Sequence, residues 1–442
     1  MRKAALHNLG CKVNSYETEA MTQLLKKAGY EIVSFQDQAD VYIINTCSVT
    51  NMADRKSRQM LHKAKKQNPN AVVVATGCYV QTATEKVAQD LSIDLVVGNN
   101  RKKDIVEILN EYYAEKEAGE QVKEEYVIDI NHTDEYEDLE ISTVTEHTRA
   151  HLKIQDGCNN FCSYCIIPYA RGRIRSRTME SIKAELERLS ASGFKEIVLT
   201  GINLSCYDDN GKKLIDVIEM ADNVNGIERI RLGSLDPEVV TEDFVERLGK
   251  VKKICPHFHF SLQSGCDKTL KAMNRHYTSD EYYEKCQLIR KYIDNPAFTT
   301  DVIVGFPGET EEEFAETLAF AETAAFAQIH VFKYSRRKGT VADKMPEQLS
   351  EQEKAGRSDR LLAVTEQLSE TYRRQFIGQV TQVLLEEMTE IDGENYVIGY
   401  TSRYVRVAVP IGADGTFEKG AVVFVKLEKQ GPHDVLLGHF AE

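Results

Sequence analysis

No apolar run in the chain approaches the roughly 20 residues that cross a bilayer, so no membrane partner is expected. The opening stretch, MRKAALHNLG, has no long apolar region of the secretory type and reads as a short strand entering a Gly-Cys turn. A disulfide scaffold is also missing: ten cysteines spread over 442 residues, with no signal segment, point to reduced thiols and metal. A cytoplasmic location is the expectation. Positive charge is in short supply, 55 Lys and Arg against 69 Asp and Glu, for a net −14. Spread evenly, that balance would disfavour a nucleic-acid partner.

It is not spread evenly. Residues 111–140 hold twelve acidic and two basic side chains, net −10. Elsewhere basic residues cluster: Arg55, Lys56 and Arg58; Lys63, Lys65 and Lys66; Arg171, Arg173, Arg175 and Arg177; Arg336, Arg337 and Lys338. Such clusters suit phosphate contacts, or else form solvated faces.

Length sets about three domains. Strands at 3–9, 41–45, 71–75 and 94–97 alternate with helical stretches. The first helix has Asn14 as N-cap, Glu17 three residues on, and Gly29 as C-cap. This alternation predicts a doubly wound parallel sheet over residues 1–112. Residues 113–145 are acidic and poor in aliphatics, and read as a linker ending in a short approach strand. A second series has strands at 151–155, 196–200, 229–232, 257–261, 299–304 and 330–334. Six repeats predict an incomplete (β/α)6 barrel within 146–375, ending in a polar helix that carries Arg357, Arg360, Arg373 and Arg374. Five short strands in 376–442 predict a small all-β barrel. The fold class expected is α/β.

Residues 157–169, GCNNFCSYCIIPY, place Cys158, Cys162 and Cys165 in a C-x3-C-x2-C spacing. Thiolates bind soft metals and hold four-iron clusters. A ferredoxin run would supply four, but no cysteine follows Cys165 until Cys206. Zinc would want a fourth ligand. Three thiolates on a cubane leave one iron open for chelation. Cys11, Cys47 and Cys78 each fall just past the carboxyl end of a successive strand. In a parallel sheet those ends share one edge, so a second three-thiolate site is expected, although any one alone reads as a small buried hydrophobe. Cys206, Cys255, Cys266 and Cys286 match no metal spacing and read as structural.

The cysteine run, with Phe161 and Tyr164 interleaved, resembles the signature of the radical S-adenosylmethionine (SAM) enzymes. LGCKVNSYETE at 9–19, INTCSVT at 44–50 and TGCYVQ at 76–81 resemble the methylthiotransferases of that superfamily, and the resemblance covers nearly the whole chain. Lys12-Val13-Asn14 is similar to the subfamily acting on N6-threonylcarbamoyladenosine in tRNA. The isopentenyladenosine subfamily has Gln-Met-Asn there, and the ribosomal-protein subfamily Pro-Lys-Asn. The resemblance implies two [4Fe-4S] clusters: an auxiliary one on Cys11, Cys47 and Cys78, and a SAM-chelating one on Cys158, Cys162 and Cys165. It implies a C-terminal TRAM-type barrel for RNA. It also implies insertion of a methylthio group at C2 of the modified adenosine beside the anticodon, with SAM as methyl donor and radical source. The partners implied are tRNA, a low-potential electron donor such as flavodoxin or ferredoxin, and a sulfur source.

Candidates for SAM contact stand at the barrel strand ends: Tyr164, Thr200, Gly201, Asn203, Ser234, Gln263, Ser264, Arg275 and Asp301. Tyr400, Arg403, Tyr404 and Arg406 form an aromatic-basic strip suited to RNA, in a unit with five basic and ten acidic residues. Rival readings are a methylthiotransferase for another tRNA adenosine or a ribosomal protein, and a non-enzymatic iron–sulfur carrier.

Overall fold

The computed structural model describes residues 1–120, 122, 124–141, 148–411 and 416–441. Val41–Thr46 and Val72–Gly77 are buried along their whole length, as strands covered on both faces must be. They form the centre of a six-stranded parallel sheet. Its order is Glu31–Ile32, Lys3–Asn8, Val41–Thr46, Val72–Gly77, Leu95–Val97 and Glu125–Tyr126. Separate apolar clusters cover its two faces.

The expected cap of the first helix is corrected. The helix runs Lys12–Lys27 and its N-cap is Cys11, with no side-chain capping bond. Asn14 lies in the first turn, where its amide donates to the carbonyls of Leu9 and Thr46. Gly29, with φ 87, follows the C-cap Ala28.

The expected linker carries structure. Its first residues continue the helix Ile105–Ala118, and Glu125–Tyr126 adds the sixth strand. Leu139 and Ile141 are buried in the main core of the barrel. Sparse aliphatics at useful positions suffice where neighbouring surfaces are apolar. The end of that stretch, where a short approach strand is expected, runs into residues 142–147, which lie outside the described residues.

The second unit has six parallel strands in chain order: Ala150–Lys153, Glu196–Thr200, Arg229–Leu232 continuing as Ser234–Leu235, His257–Phe260, Ala297–Val304 and Gln328–Lys333. The third strand breaks at Gly233, so its first half pairs with Glu196–Thr200 and its second with His257–Phe260. The first and last strands do not pair with each other, which leaves the barrel incomplete as expected. The N-terminal unit spans that gap. Glu17 pairs with Lys153 on the first strand at 2.8 Å. Just past the last strand, Arg337 reaches Asp54 at 2.9 Å and Ser48 at 2.8 Å.

Helix Glu351–Arg374 leads to a closed barrel of five strands, Val380–Ile391, Glu394–Thr401, Arg406–Pro410, Val422–Gln430 and Leu436–Phe440. This small barrel docks on the amino ends of the larger barrel's strands. Arg229 donates to the Tyr400 carbonyl at 3.0 Å, and Arg231 to that of Ser402 at 3.0 Å. Arg231 and Arg149 hold the fully buried Glu196 at 2.7 and 3.0 Å. The Tyr404 ring packs under both guanidiniums, 4.6 Å from Arg231 and 4.9 Å from Arg149, and against His257 at 5.1 Å.

Arg231→Met removes one clamp on a buried carboxylate and two bonds to the small barrel. It should cost roughly 2–4 kcal/mol. Denaturant unfolding should show the loss, and limited proteolysis should release the C-terminal unit sooner. An unchanged unfolding midpoint and digestion pattern would contradict this account of the seam.

Candidate active site between two cysteine triads

Cys11, Cys47 and Cys78 follow strands that are adjacent in the sheet, so all three stand at one edge. Gly77 makes this possible for the third. Its φ is 97, and a Cβ there would lie 2.5 Å from the Thr46 carbonyl oxygen. Cys47 and Cys78 are buried, while Cys11 meets solvent. The three thiols perturb one another electrostatically.

Cys158, Cys162 and Cys165 lie on the loop after the first barrel strand, at the carboxyl-end mouth. Gly157 starts that loop with φ 74, where a Cβ would meet the Arg173 carbonyl oxygen at 1.8 Å. Arg275 donates to Cys162 Sγ at 3.3 Å and pairs with Asp236 at 2.8 Å. Asp236 in turn accepts from Asn160, inside the cysteine loop, at 3.3 Å.

Burial pushes the Cys47 thiol up to about 11 and the Cys165 thiol up to about 12. These thiols hold their protons at neutral pH until a metal displaces them, so metal uptake releases protons. Sulfurs around one zinc ion would stand roughly 3.8 Å apart, from Zn–S bonds of about 2.3 Å. Among the described residues, the group whose ligand atoms all lie within 4.8 Å of one another is His259, Asp301 and His330, and neither cysteine triad is that tight.

A buried ionic network joins the two triads. Glu17, fully buried, receives Arg171 at 2.6 Å, Lys153 at 2.8 Å and Lys102 at 3.1 Å. Asp156, two residues before Cys158, receives Lys153 at 2.6 Å and Arg171 at 3.1 Å. Arg171 also donates to Asn14 at 2.6 Å. The Asn99 amide donates to the Ala170 carbonyl at 2.7 Å and approaches Cys78 Sγ at 3.9 Å. Lys153, Arg171 and Lys102 hold the Glu17 carboxyl well below the usual range despite its burial. Lys102, Lys153, Arg171 and Arg175 gather around Glu17 and Asp156, and the charge of Arg171 acts on all three auxiliary cysteines. Positive charge there favours thiolates and an anionic cluster.

A cleft of about 180 Å³ lies between the triads. Val49 and Thr50 line it from the N-terminal unit, Tyr164 and Cys165 from the cysteine loop, and Gln263, Asp301 and Phe332 from the barrel.

The residues expected at SAM separate by surroundings. Tyr164, Gln263 and Asp301 line the cleft, and Gln263 holds a left-handed φ of 71. Asn203 is buried beside Cys158, and its Oδ1 has no hydrogen-bond partner, which leaves an acceptor for an incoming donor. Gly201 backs onto Gln155, which accepts from the Asn203 backbone N–H at 2.8 Å. Thr200 ends its strand, and Ser234 shares a bond with Ser261 at 2.9 Å. Ser264 bonds Thr317 at 3.2 Å inside the protein. Arg275 holds a cluster cysteine. Cys255, Cys266 and Cys286 are buried, and Cys206 is partly so.

The expected RNA strip is used within the chain. Tyr400 and Tyr404 stack at 4.9 Å beneath Arg149, and Arg403 donates to the Asn295 and Asp294 carbonyls. Arg406 stands beside Tyr400. The basic clusters are likewise partly internal. Arg171, Arg175, Arg177 and Arg337 are buried, and Arg357 pairs with Glu309 at 2.5 Å. Sequence reasoning missed Glu17, Lys102, Lys153 and Asp156. The signal that could have found them is their nearness in sequence to the cysteine motifs, Glu17 within the first and Asp156 just before the fourth cysteine.

The family models agree with this layout. Residues 152–321 match the Radical SAM superfamily, and residues 3–98 match the Uncharacterized protein family UPF0004. The chain is 42% identical, over 98% of its length and 95% of the relative's, to the threonylcarbamoyladenosine tRNA methylthiotransferase MtaB of Bacillus subtilis (strain 168). This chain belongs to the radical-SAM tRNA methylthiotransferases. Like this methylthiotransferase family generally, it uses two [4Fe-4S] clusters and SAM, and the two triads match that requirement. It is also 40% identical to the MtaB protein of Aquifex aeolicus (strain VF5), over 89% of this chain and 95% of that one. It is 36% identical to a tRNA-2-methylthio-N(6)-dimethylallyladenosine synthase of Clostridium botulinum (strain Langeland), over 89% and 87%. Among solved structures, the methylthiotransferase chain is similar in fold to the radical SAM methyltransferase TsrM from Kitasatospora setae. The TM-score is 0.58, the identity 16%, and the coverage 77% and 74%. No helix among the described residues is long and apolar enough to cross a membrane.

Arg171→Met strands Glu17 and Asp156 beside the clusters. It should destabilise the fold by about 3–5 kcal/mol and lower iron content after anaerobic reconstitution. Adding Glu17→Gln should restore part of both. Wild-type melting and iron content in the single variant would contradict this role.

Proposed function

We propose that the chain inserts a methylthio group at C2 of N6-threonylcarbamoyladenosine, beside the anticodon of tRNA. The observation that carries the reading is one cleft lined by Cys165 of the second triad and by Val49 and Thr50, the segment just after Cys47 of the first. Cys11, Cys47 and Cys78 serve the sulfur-donating site, and Cys158, Cys162 and Cys165 the SAM site. When bound, SAM supplies a carbon radical able to take the unactivated C2 hydrogen, and the auxiliary cluster supplies sulfur. The protein contributes position. Arg275 and Asp236 fix one cysteine loop, the Glu17–Arg171 network fixes the distance between sites, and the cleft walls exclude water.

The threonylcarbamoyl assignment rests on Lys12-Val13-Asn14 and on the named MtaB relatives. A division into 1–112, 113–145, 146–375 and 376–442 accompanies it, with the last unit binding RNA. Its RNA face includes the strip of Tyr400, Arg403, Tyr404 and Arg406, where Tyr404 stays exposed although it also packs at the seam, together with the outer wall. There Phe424 and Phe440 are exposed on neighbouring strands beside Lys426. A low-potential flavodoxin or ferredoxin, a separate sulfur source and a cytoplasmic setting complete the proposal.

Anaerobic reconstitution should give about eight irons per chain. Changing Cys158, Cys162 and Cys165 together to Ala should leave about four and abolish SAM cleavage. Changing Cys11, Cys47 and Cys78 to Ala should preserve SAM cleavage and abolish methylthiolated nucleoside, read by mass spectrometry of digested tRNA. Product on tRNA bearing dimethylallyladenosine, and none on threonylcarbamoyl tRNA, would move the substrate to the second named type of relative. Phe424→Ala should weaken tRNA binding by roughly 1–3 kcal/mol without altering its salt dependence. Unchanged affinity would remove the outer wall as the RNA face.

A further inference from the structure

Three neighbouring strands of the larger barrel divide their faces in the same way. Phe258, Phe260, Phe298, Val302, Val304 and Ile329 point into the apolar core. Alternation puts His259, Asp301, Ile303, His330 and Phe332 on the opposite face. That face turns to the lumen, because Asp301, Ile303 and Phe332 line the cleft. Register completes the placement: His259 lies opposite Thr299, and Asp301 opposite His330. Two imidazoles and a carboxylate from three strands therefore meet on one wall, beneath the cleft.

Their ligand atoms all lie within 4.8 Å of one another, and His259 Nε2 stands 3.4 Å from the Asp301 carboxylate. Around one tetrahedral ion with bonds of about 2.0–2.2 Å, neighbouring ligand atoms stand roughly 3.4 Å apart. The first pair is already at that spacing. The His330 ring is exposed and touches the His259 ring, with centroids 5.8 Å apart. Among the described residues it makes no hydrogen bond, so a turn of the side chain brings its nitrogen in. The other nitrogen of His259 lies 3.0 Å from the Thr299 hydroxyl. A proton on that nitrogen, donated to Thr299, leaves the Nε2 lone pair facing Asp301. Two acceptors set face to face call for a cation between them. Among the described residues no lysine or arginine reaches ion-pair distance of Asp301 to supply it. The charge of Lys12 bears on Asp301 and His330 and opposes a cation. Direct bonds of about 2 Å outweigh that more distant charge, because Coulomb energy falls with separation.

We propose that His259, Asp301 and His330 form a third metal site, separate from both cysteine triads, for a divalent first-row transition-metal ion. Two imidazoles and a carboxylate are the donor set that such ions take while keeping positions open. Thr299 orients His259 from the outer shell. Asp301 also lines the cleft, so water or an oxygen donor from a molecule held there completes the shell. No thiolate takes part, which separates this site from iron–sulfur assembly.

The test uses the anaerobically reconstituted full chain with both clusters oxidised, the state in which they are silent in electron paramagnetic resonance. Added Mn2+ should lose its free-ion signal until about one ion is bound per chain, and Zn2+ should displace it as the tighter binder. Pulsed resonance of the bound Mn2+ should show two directly bound nitrogens. His330→Ala should leave one, and should weaken binding at least about tenfold, no less than the loss of an outer-shell partner costs. Asp301→Asn should weaken it by at least as much. Iron content and melting temperature show whether each variant is intact. His330 is exposed, so its replacement decides the matter if Asp301→Asn loses iron. Wild type that takes up neither Mn2+ nor Zn2+ overturns the assignment. So does bound Mn2+ without nitrogen couplings, or equal affinity in His330→Ala, either of which means an adventitious ion elsewhere. None of these outcomes depends on which tRNA the chain modifies.

Discussion

Glu17 has no contact with solvent, and three cations from three parts of the chain close around it. A carboxylate buried this way is tolerated only while its partners stay in place. The helix after the first cysteine, the first barrel strand and the segment after the cysteine loop are therefore held in one arrangement. Both triads inherit their separation from that requirement. Hydrophobic packing gives each unit its core, but the apolar clusters of the sheet and the barrel are largely distinct. The ionic contact fixes how the two meet.

That arrangement also explains how an open barrel can house reactive chemistry. Six strands leave a lateral gap, and the N-terminal unit closes it with Glu17 at one edge and with Ser48, Asn51 and Asp54 at the other. The cap is also the unit that carries the second triad, so closing the barrel and bringing up the sulfur-donating site are one structural act. At the opposite end the small barrel seals the floor through Arg229, Arg231 and Tyr404.

Much of this was legible in the sequence, because strand-length apolar runs and strand-end cysteines obey local rules. The strand at Glu196–Thr200 falls where its apolar run placed it. The three separated cysteines met at one edge because parallel strands must align their carboxyl ends. What could not be read was the partner of each charge. Arg171 and Arg177 look the same in sequence as exposed Arg173, yet two are buried in ion pairs and one is not. Tyr404 resembles a base-stacking residue, and only the docking of two units shows that it stacks on its own chain's arginines. Burial of a charge depends on long-range packing, to which local composition is blind. The same limit hid the strand Glu125–Tyr126 within an acidic stretch.

The central claim is that two three-thiolate sites open onto one cleft. Anomalous scattering at the iron edge from anaerobically reconstituted crystals tests it most directly. The account predicts two four-iron clusters per chain, one on Cys11, Cys47 and Cys78 and one on Cys158, Cys162 and Cys165, each with its open iron facing the cleft between Thr50 and Tyr164. A single cluster, a fourth protein ligand on either, or open irons turned to separate surfaces would contradict it.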